Sequence, residues 1–209
     1  MDVFREMTTG RQSKKNEEGG ECMTKYAVEL FFDERTEQYI RGLWRELEQN
    51  GITDSMMSIA EIQPHLTVAV YDDLEAGEFE EEIAFFMQGA PSLPVRFDSL
   101  ACFPASGTLF LSPAVTAGLM QLHQRFHSRF HKLRPKAAPY YLPGSWNPHC
   151  TLAVNLSSVQ LKEAFHYILD RFSPFQAGLQ QIGLVQLTFN EEQLCIRSRT
   201  IFTLPLTDA

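Results

Sequence analysis

Two short stretches of this chain carry the same chemistry-bearing pair. Gln63-Pro64-His65-Leu66-Thr67-Val68-Ala69-Val70 and Asn147-Pro148-His149-Cys150-Thr151-Leu152-Ala153-Val154 both read polar residue, Pro, His, any residue, Thr, apolar residue, Ala, Val. Successive side chains of a strand alternate faces, so a His and a Thr two positions apart point the same way. Each copy therefore sets an imidazole beside a hydroxyl, with Leu66, Val68 and Val70, or Cys150, Leu152 and Val154, expected on the opposite, buried face. Proline before each His suits the first residue of a strand, where its missing N–H costs least. An imidazole with an ordinary pKa of about 6.5 exists as base or as acid near neutral pH. Two of them facing one another suit in-line attack on a phosphodiester. One takes a proton from the attacking water or hydroxyl and the other protonates the leaving oxygen. Thr67 and Thr151 would donate to the non-bridging oxygens, where charge builds up. The scheme calls for no metal and no other cofactor.

The elements that must position these pairs repeat along the chain. A strand is expected over residues 26–32, then a helix capped by Asp33, carrying Tyr39, Ile40, Leu43, Trp44 and Leu47 at helical spacing and stopping at Gly51. The first motif strand is expected over 59–71, a helix over 78–88, and two strands over 95–103 and 108–112 joined by Pro104-Ala105-Ser106-Gly107. Pro113 opens a long helix to residue 133, and an irregular, proline-rich segment over 136–146 leads to the second motif. The order then recurs: a helix to residue 171, a strand over 178–189, a turn at Asn190-Glu191 and a strand over 193–204. The two histidines are 84 residues apart (149 minus 65), too long for a stacked repeat but suited to two lobes. The expected fold is α+β and bilobal, a pseudo-two-fold duplication with antiparallel sheets lining a central cleft and helices on the outer faces.

A chain of 209 residues can build a full core, and 44% apolar with 21% charged residues describes a globular protein. A net charge of −8 argues against broad nucleic-acid binding but leaves room for a small anion in a local pocket. The four cysteines lie far apart without a Cys-x-x-Cys pair, which suits buried free thiols in a reducing compartment. With no apolar run of membrane-spanning length and no signal-like start, a cytoplasmic, monomeric protein without a membrane partner is expected. Residues 1–23 are polar and are expected to be a disordered leader, leaving 24–206 as the single domain.

The doubled His-x-Thr motif, His65-Leu66-Thr67 and His149-Cys150-Thr151, resembles that of the two-histidine (2H) phosphoesterase superfamily. This superfamily includes 2′-5′ RNA ligases and cyclic phosphodiesterases. The resemblance covers residues 24–206 in length and element order, and Trp146-Asn147-Pro148 also looks family-like. It implies a bilobal fold with the active site in the central cleft, and metal-free action on 2′,3′-cyclic or 2′-5′-linked nucleotide or RNA-end phosphoesters. By motif position His65, Thr67, His149 and Thr151 correspond to the catalytic residues. The alternatives are 2′-5′ RNA ligation by the reverse reaction, a nucleotide-binding module without turnover, and a purely architectural repeat.

Further candidates surround these four. Tyr71, Tyr141 and Trp146 are placed as substrate-binding, with Tyr140 beside them, since aromatic faces near a phosphate suit base stacking. Each has a plainer reading, Tyr71 at the core edge and the others plugging the lobe junction. Arg96, Lys136 and Arg197 are the cations expected nearest the cleft. His123, His127 and His131 recur every four residues on the long helix; this spacing can bind zinc, but a partly exposed stripe supporting the helix is the favoured reading. His166 is read as a packed or surface histidine. Ser145 lacks a nucleophile-elbow context, and there is no P-loop or dinucleotide fingerprint.

Overall fold

The computed structural model describes residues 13–15 and 21–207. Most of the expected leader lies outside them, although Ser13–Lys15 (β1) pairs antiparallel with Glu21–Met23. The next strand, β2 (Glu21–Phe32), runs directly into helix α1 (Glu34–Gln49). Asp33 turns the corner. Its carboxylate accepts from the Thr36 N–H at 2.9 Å and the Thr36 hydroxyl at 3.0 Å, capping the helix. It also accepts from the Gly178 N–H at 2.6 Å, tying that cap to the far end of the chain. Of the α1 residues expected at helical spacing, Ile40, Leu43, Trp44 and Leu47 are buried while Tyr39 is exposed, and Gly51 ends the turn at φ +69°.

The remaining elements are β3 (His65–Tyr71), α2 (Ala76–Met87), β4 (Leu93–Phe103), β5 (Thr108–Pro113), α3 (Ala117–Arg129), β6 (Cys150–Ala153), α4 (Ser158–Leu169), β7 (Phe175–Phe189) and β8 (Cys195–Pro205). The first motif strand starts at His65 rather than at 59, because Glu61 takes a left-handed φ of +62° and Pro64 blocks the ladder. Helix α3 is shorter than expected at both ends. Thr116 caps its start, and Pro135 lies in the 3₁₀ turn His131–Lys136 that follows Phe130.

All pairings between these strands are antiparallel. β2 lies between β3 and β7, and β7 is flanked on its other side first by β4 and then by β8. The chain order motif strand, helix, hairpin does repeat, but the hairpins are exchanged. The hairpin of the first half, β4–β5, adds to the second motif strand, β6. That of the second half, β7–β8, adds to β2 beside the first motif strand. One continuous apolar core runs under both halves, from Val28 and Leu66 through Leu109, Cys150 and Leu184. Among the described residues no helix is long and apolar enough to cross a membrane.

Candidate active site

The two motifs share more than their letters. In β3 the ladder with β2 steps from Ala69 opposite Val28 to Thr67 opposite Glu29, leaving Val68 extra. In β6 the ladder with β5 steps from Ala153 opposite Leu109 to Thr151 opposite Phe110, leaving Leu152 extra. Each strand therefore bulges just after its threonine. A bulge puts two consecutive residues on one face. Val68 with Ala69, and Leu152 with Ala153, both enter the core, and the alternation is reversed beyond them. Val70 and Val154, expected on the buried face, instead line the cleft.

Upstream of the bulge the alternation holds. Leu66 and Cys150 are fully buried, and His65, Thr67, His149 and Thr151 are half-buried on one cleft of about 550 Å³. The motif strands lie against each other there, with the Cys150 side chain on the backbone of His65. Each imidazole is oriented by a carbonyl two residues earlier. His65 Nδ1 is 2.6 Å from Gln63 O, and His149 Nδ1 is 2.7 Å from Asn147 O. A carbonyl only accepts, so Nδ1 carries the proton in both rings and Nε2 is left for the cleft.

The surroundings of the two rings differ. The Phe103 and Phe110 rings pack against His149 at 5.2 and 5.1 Å between centroids. Burial pulls its pKa below the ordinary imidazole value, its bond to Asn147 opposes this, and the nearby His65 charge adds to the depression. His65 instead has Glu29 beside it, with Oε2 at 3.5 Å from Nδ1. Glu29 is only 2% exposed. Burial pushes its carboxyl up, and the charge on His65 draws it back down.

Tyr141 sits in the 3₁₀ turn Pro139–Tyr141 of the proline-rich segment and lines the cleft, its hydroxyl bonded to the Thr67 side chain. Burial pushes its pKa up to about 12, so it stays a neutral donor. Tyr140 lines an adjoining, mostly apolar chamber of about 530 Å³ with Phe103, Pro104 and His149.

Other expectations need correction. Tyr71 is 1% exposed and packs edge-on to Phe79 in the core, because the bulge at Val68 turns it away from the cleft. Trp146 lines neither chamber. Its indole stacks flat on His123 at 3.9 Å and donates its N–H to Thr67 O at 2.9 Å, behind the motif strand. Trp44 of α1 donates in the same way to Thr151 O at 3.1 Å. These bonds satisfy carbonyls at the points where the bulges interrupt the ladders. His127 Nε2, 3.2 Å from Val68 O, serves the same bulge. His123 is fully buried rather than partly exposed and bonds Tyr141 O through Nε2 at 2.8 Å. His131 turns back to Ser128 O. Among the described residues no group of three or more His, Cys, Asp or Glu side chains is placed to hold a metal.

None of the three expected cations lines the cleft. Arg96 pairs with Asp98, Lys136 with Asp73 and Arg197 with Glu61, all near the surface. The lysine in the cleft is Lys25, 2% exposed and 2.7 Å from Asp72. The sequence reading missed both Lys25 and Glu29. Their signal was present, since charged residues at alternate places of an otherwise apolar strand must share a face.

The sequence profile of the 2′-5′ RNA ligase superfamily matches residues 34–189. The chain belongs to this superfamily. Solved structures with the same fold include one described as a phosphoesterase, 15% identical with a TM-score of 0.57, covering 89% of this chain and 99% of that one. They also include E. coli LigT complexed with 3′-AMP, 15% identical at 0.55 over the same shares, and a Thermus thermophilus protein, 14% identical at 0.54, over 88% and 98%. At these identities the likeness speaks for the fold alone, while the profile match makes this 2′-5′ RNA ligase superfamily member a phosphoesterase-type enzyme. Comparison with curated proteins returned no match.

Proposed function

We propose that this protein is a phosphodiesterase acting on 2′,3′-cyclic or 2′-5′-linked nucleotide phosphoesters through its two histidines, without a metal. The observation that carries the reading is the meeting of two equivalent imidazole–hydroxyl pairs on one nucleotide-sized cleft. E. coli LigT, which shares the fold, has been solved with 3′-AMP, which fits a ligand of this size and kind.

In this scheme one imidazole accepts a proton from the attacking water through Nε2 as the new P–O bond forms. The other imidazole, protonated, gives its Nε2 proton to the leaving ribose oxygen as the old P–O bond breaks. Thr67 and Thr151 donate to the non-bridging oxygens, and Tyr141 holds the Thr67 hydroxyl in place. The Nδ1 bonds to Gln63 O and Asn147 O keep both rings turned for proton transfer. Joining RNA ends by the reverse reaction is less favoured, because a net charge of −8 suits a long RNA substrate poorly.

The test is turnover of 2′,3′-cyclic nucleotides and 2′-5′ dinucleotides with EDTA present. His65→Ala and His149→Ala should each lose about 10²–10⁴-fold in kcat while keeping the melting profile. Full activity in both variants would overturn the assignment, and saturable binding without product would make the chain a binding module instead.

A further inference from the structure

The two motifs are alike in their own atoms and unlike in what lies behind them. His149 is backed by the Phe103 and Phe110 rings, an environment that disfavours a charged ring. His65 is backed by a carboxylate. Glu29 pairs with Thr67 across the β2–β3 ladder, so its side chain rises on the same face as the first motif, and Oε2 stops 3.5 Å from His65 Nδ1. On β7 the residue opposite Glu29 is Gly183, which puts no side chain in the way. A carboxylate this deeply buried needs an opposite charge. Lys25 lies further along the same face of β2 but is engaged by Asp72. The other titratable groups facing Glu29 are Tyr141 from the proline-rich segment and Cys195 from β8. Burial keeps both neutral, with pKa values pushed up to about 12 and about 11. His149, just before β6, interacts with the charge on His65. Among the described residues, that leaves His65 as the cation available to Glu29.

We propose that Glu29 is a positioning residue that keeps His65 in the imidazolium form, so that His65 is the general acid and His149 the general base. This rests on the phosphodiesterase reading above and gives the cleft a direction. The nucleophile is deprotonated on the His149 side, and the leaving oxygen takes its proton on the His65 side. Gln63 O receives Nδ1–H in either protonation state, so the carboxylate sets the charge of the ring while the carbonyl sets its orientation.

The experiment compares the full chain with Glu29→Gln, which removes the charge and keeps the shape, and with Glu29→Asp, which keeps the charge. Two readouts are taken. The first is a nitrogen-15 NMR titration of the imidazoles, which needs no turnover. The second is the pH profile of kcat/KM on 2′,3′-cyclic AMP. In Glu29→Gln the His65 titration midpoint should fall by about one unit or more, and the alkaline limb should move to lower pH by the same amount while the acidic limb stays. Glu29→Asp should restore most of both. With a p-nitrophenyl phosphodiester, whose leaving group needs no proton, His65→Ala should lose at least about tenfold less activity than His149→Ala.

An unmoved His65 midpoint or alkaline limb in Glu29→Gln overturns the proposal, as does rescue of His149→Ala instead of His65→Ala by the good leaving group. Absence of turnover in the native chain would sink the phosphodiesterase reading, while the NMR titration still decides whether Glu29 holds the charge on His65.

Discussion

Trp146 donates its indole N–H to the carbonyl of Thr67 at 2.9 Å. Trp44 does the same for Thr151, so each tryptophan, carried by one half of the chain, holds the motif threonine of the other. This crossed arrangement ties the two hydroxyl-bearing bulges to opposite sides of one core. Trp146→Phe keeps a ring to stack on His123 but leaves the Thr67 carbonyl without its donor, which should cost about 1–3 kcal/mol. Trp44→Phe should behave alike. Urea unfolding measures the cost, and an unchanged midpoint in both variants would show the two bonds to be idle.

Removing the hydroxyls tests the phosphate-binding role proposed for the threonines. Thr67→Val and Thr151→Val keep the β-branched shape, so the strands should persist, while kcat should fall by about 10²–10³-fold with KM changed much less. Tyr141→Phe removes only the bond that holds Thr67 and should lose less than Thr67→Val. Measuring kcat and KM separately on a 2′,3′-cyclic nucleotide decides this. A rise in KM alone would assign the threonines to ground-state binding.

His123 makes stability depend on acidity. Burial drops its pKa to about 4, against the bond to Tyr141 that raises it and the His127 charge that adds to the drop. Between pH about 6.5 and about 4 the unfolded chain therefore binds a proton on this ring that the folded chain refuses. Its contribution is fully present above about pH 6.5 and is lost as pH falls toward 4, amounting to roughly 3 kcal/mol at most. His127 and His149, both depressed chiefly by burial, act in the same direction. Unfolding midpoints at about pH 7 and about pH 4.5 should differ accordingly, and His123→Asn should flatten the difference.

Gly107 makes a closer approach than any side chain allows. Its φ is +60°, and a Cβ there would lie 2.0 Å from Leu156 O. Gly107→Ala forces the β4–β5 turn away from the segment that follows β6, at a cost of about 2 kcal/mol or more. A thermal melt checks the prediction, with retention of the native midpoint as the outcome against it.

How much of this was legible in the sequence depended on distance from the bulges. The period of two placed His65, Thr67, His149 and Thr151 on one face and buried Leu66 and Cys150, because nothing interrupts the pleat between them. One extra residue after each threonine then reversed the pattern, sending Val70 and Val154 to the cleft and Tyr71 to the core. Helix α1 was readable from its spacing and its Asp33 cap, since both signals are local. The exchange of hairpins was not, because pairing partners so far apart leave no mark on either strand. Trp146 was misplaced for a similar reason. Its flat stack on His123, 23 positions earlier in the chain (146 minus 123), outweighs a stacking role at the rim. The cations failed because Arg96, Lys136 and Arg197 each have a carboxylate nearer than the cleft.

The seat of β2 between β3 and β7 also dictates when the enzyme becomes complete during synthesis. A nascent chain presents β2 and β3 early, but the strand that closes the other edge of β2 begins only at Phe175. Until that stretch leaves the ribosome, the backbone edge carrying Glu29 stands open, and β7, through which β2 and β4 are joined, has yet to link the two motif strands. The cleft is therefore complete only once β7 and then β8, whose Cys195 and Ser198 line it, have emerged. A polypeptide terminated before β7 carries both His-x-Thr motifs without the framework that brings them together.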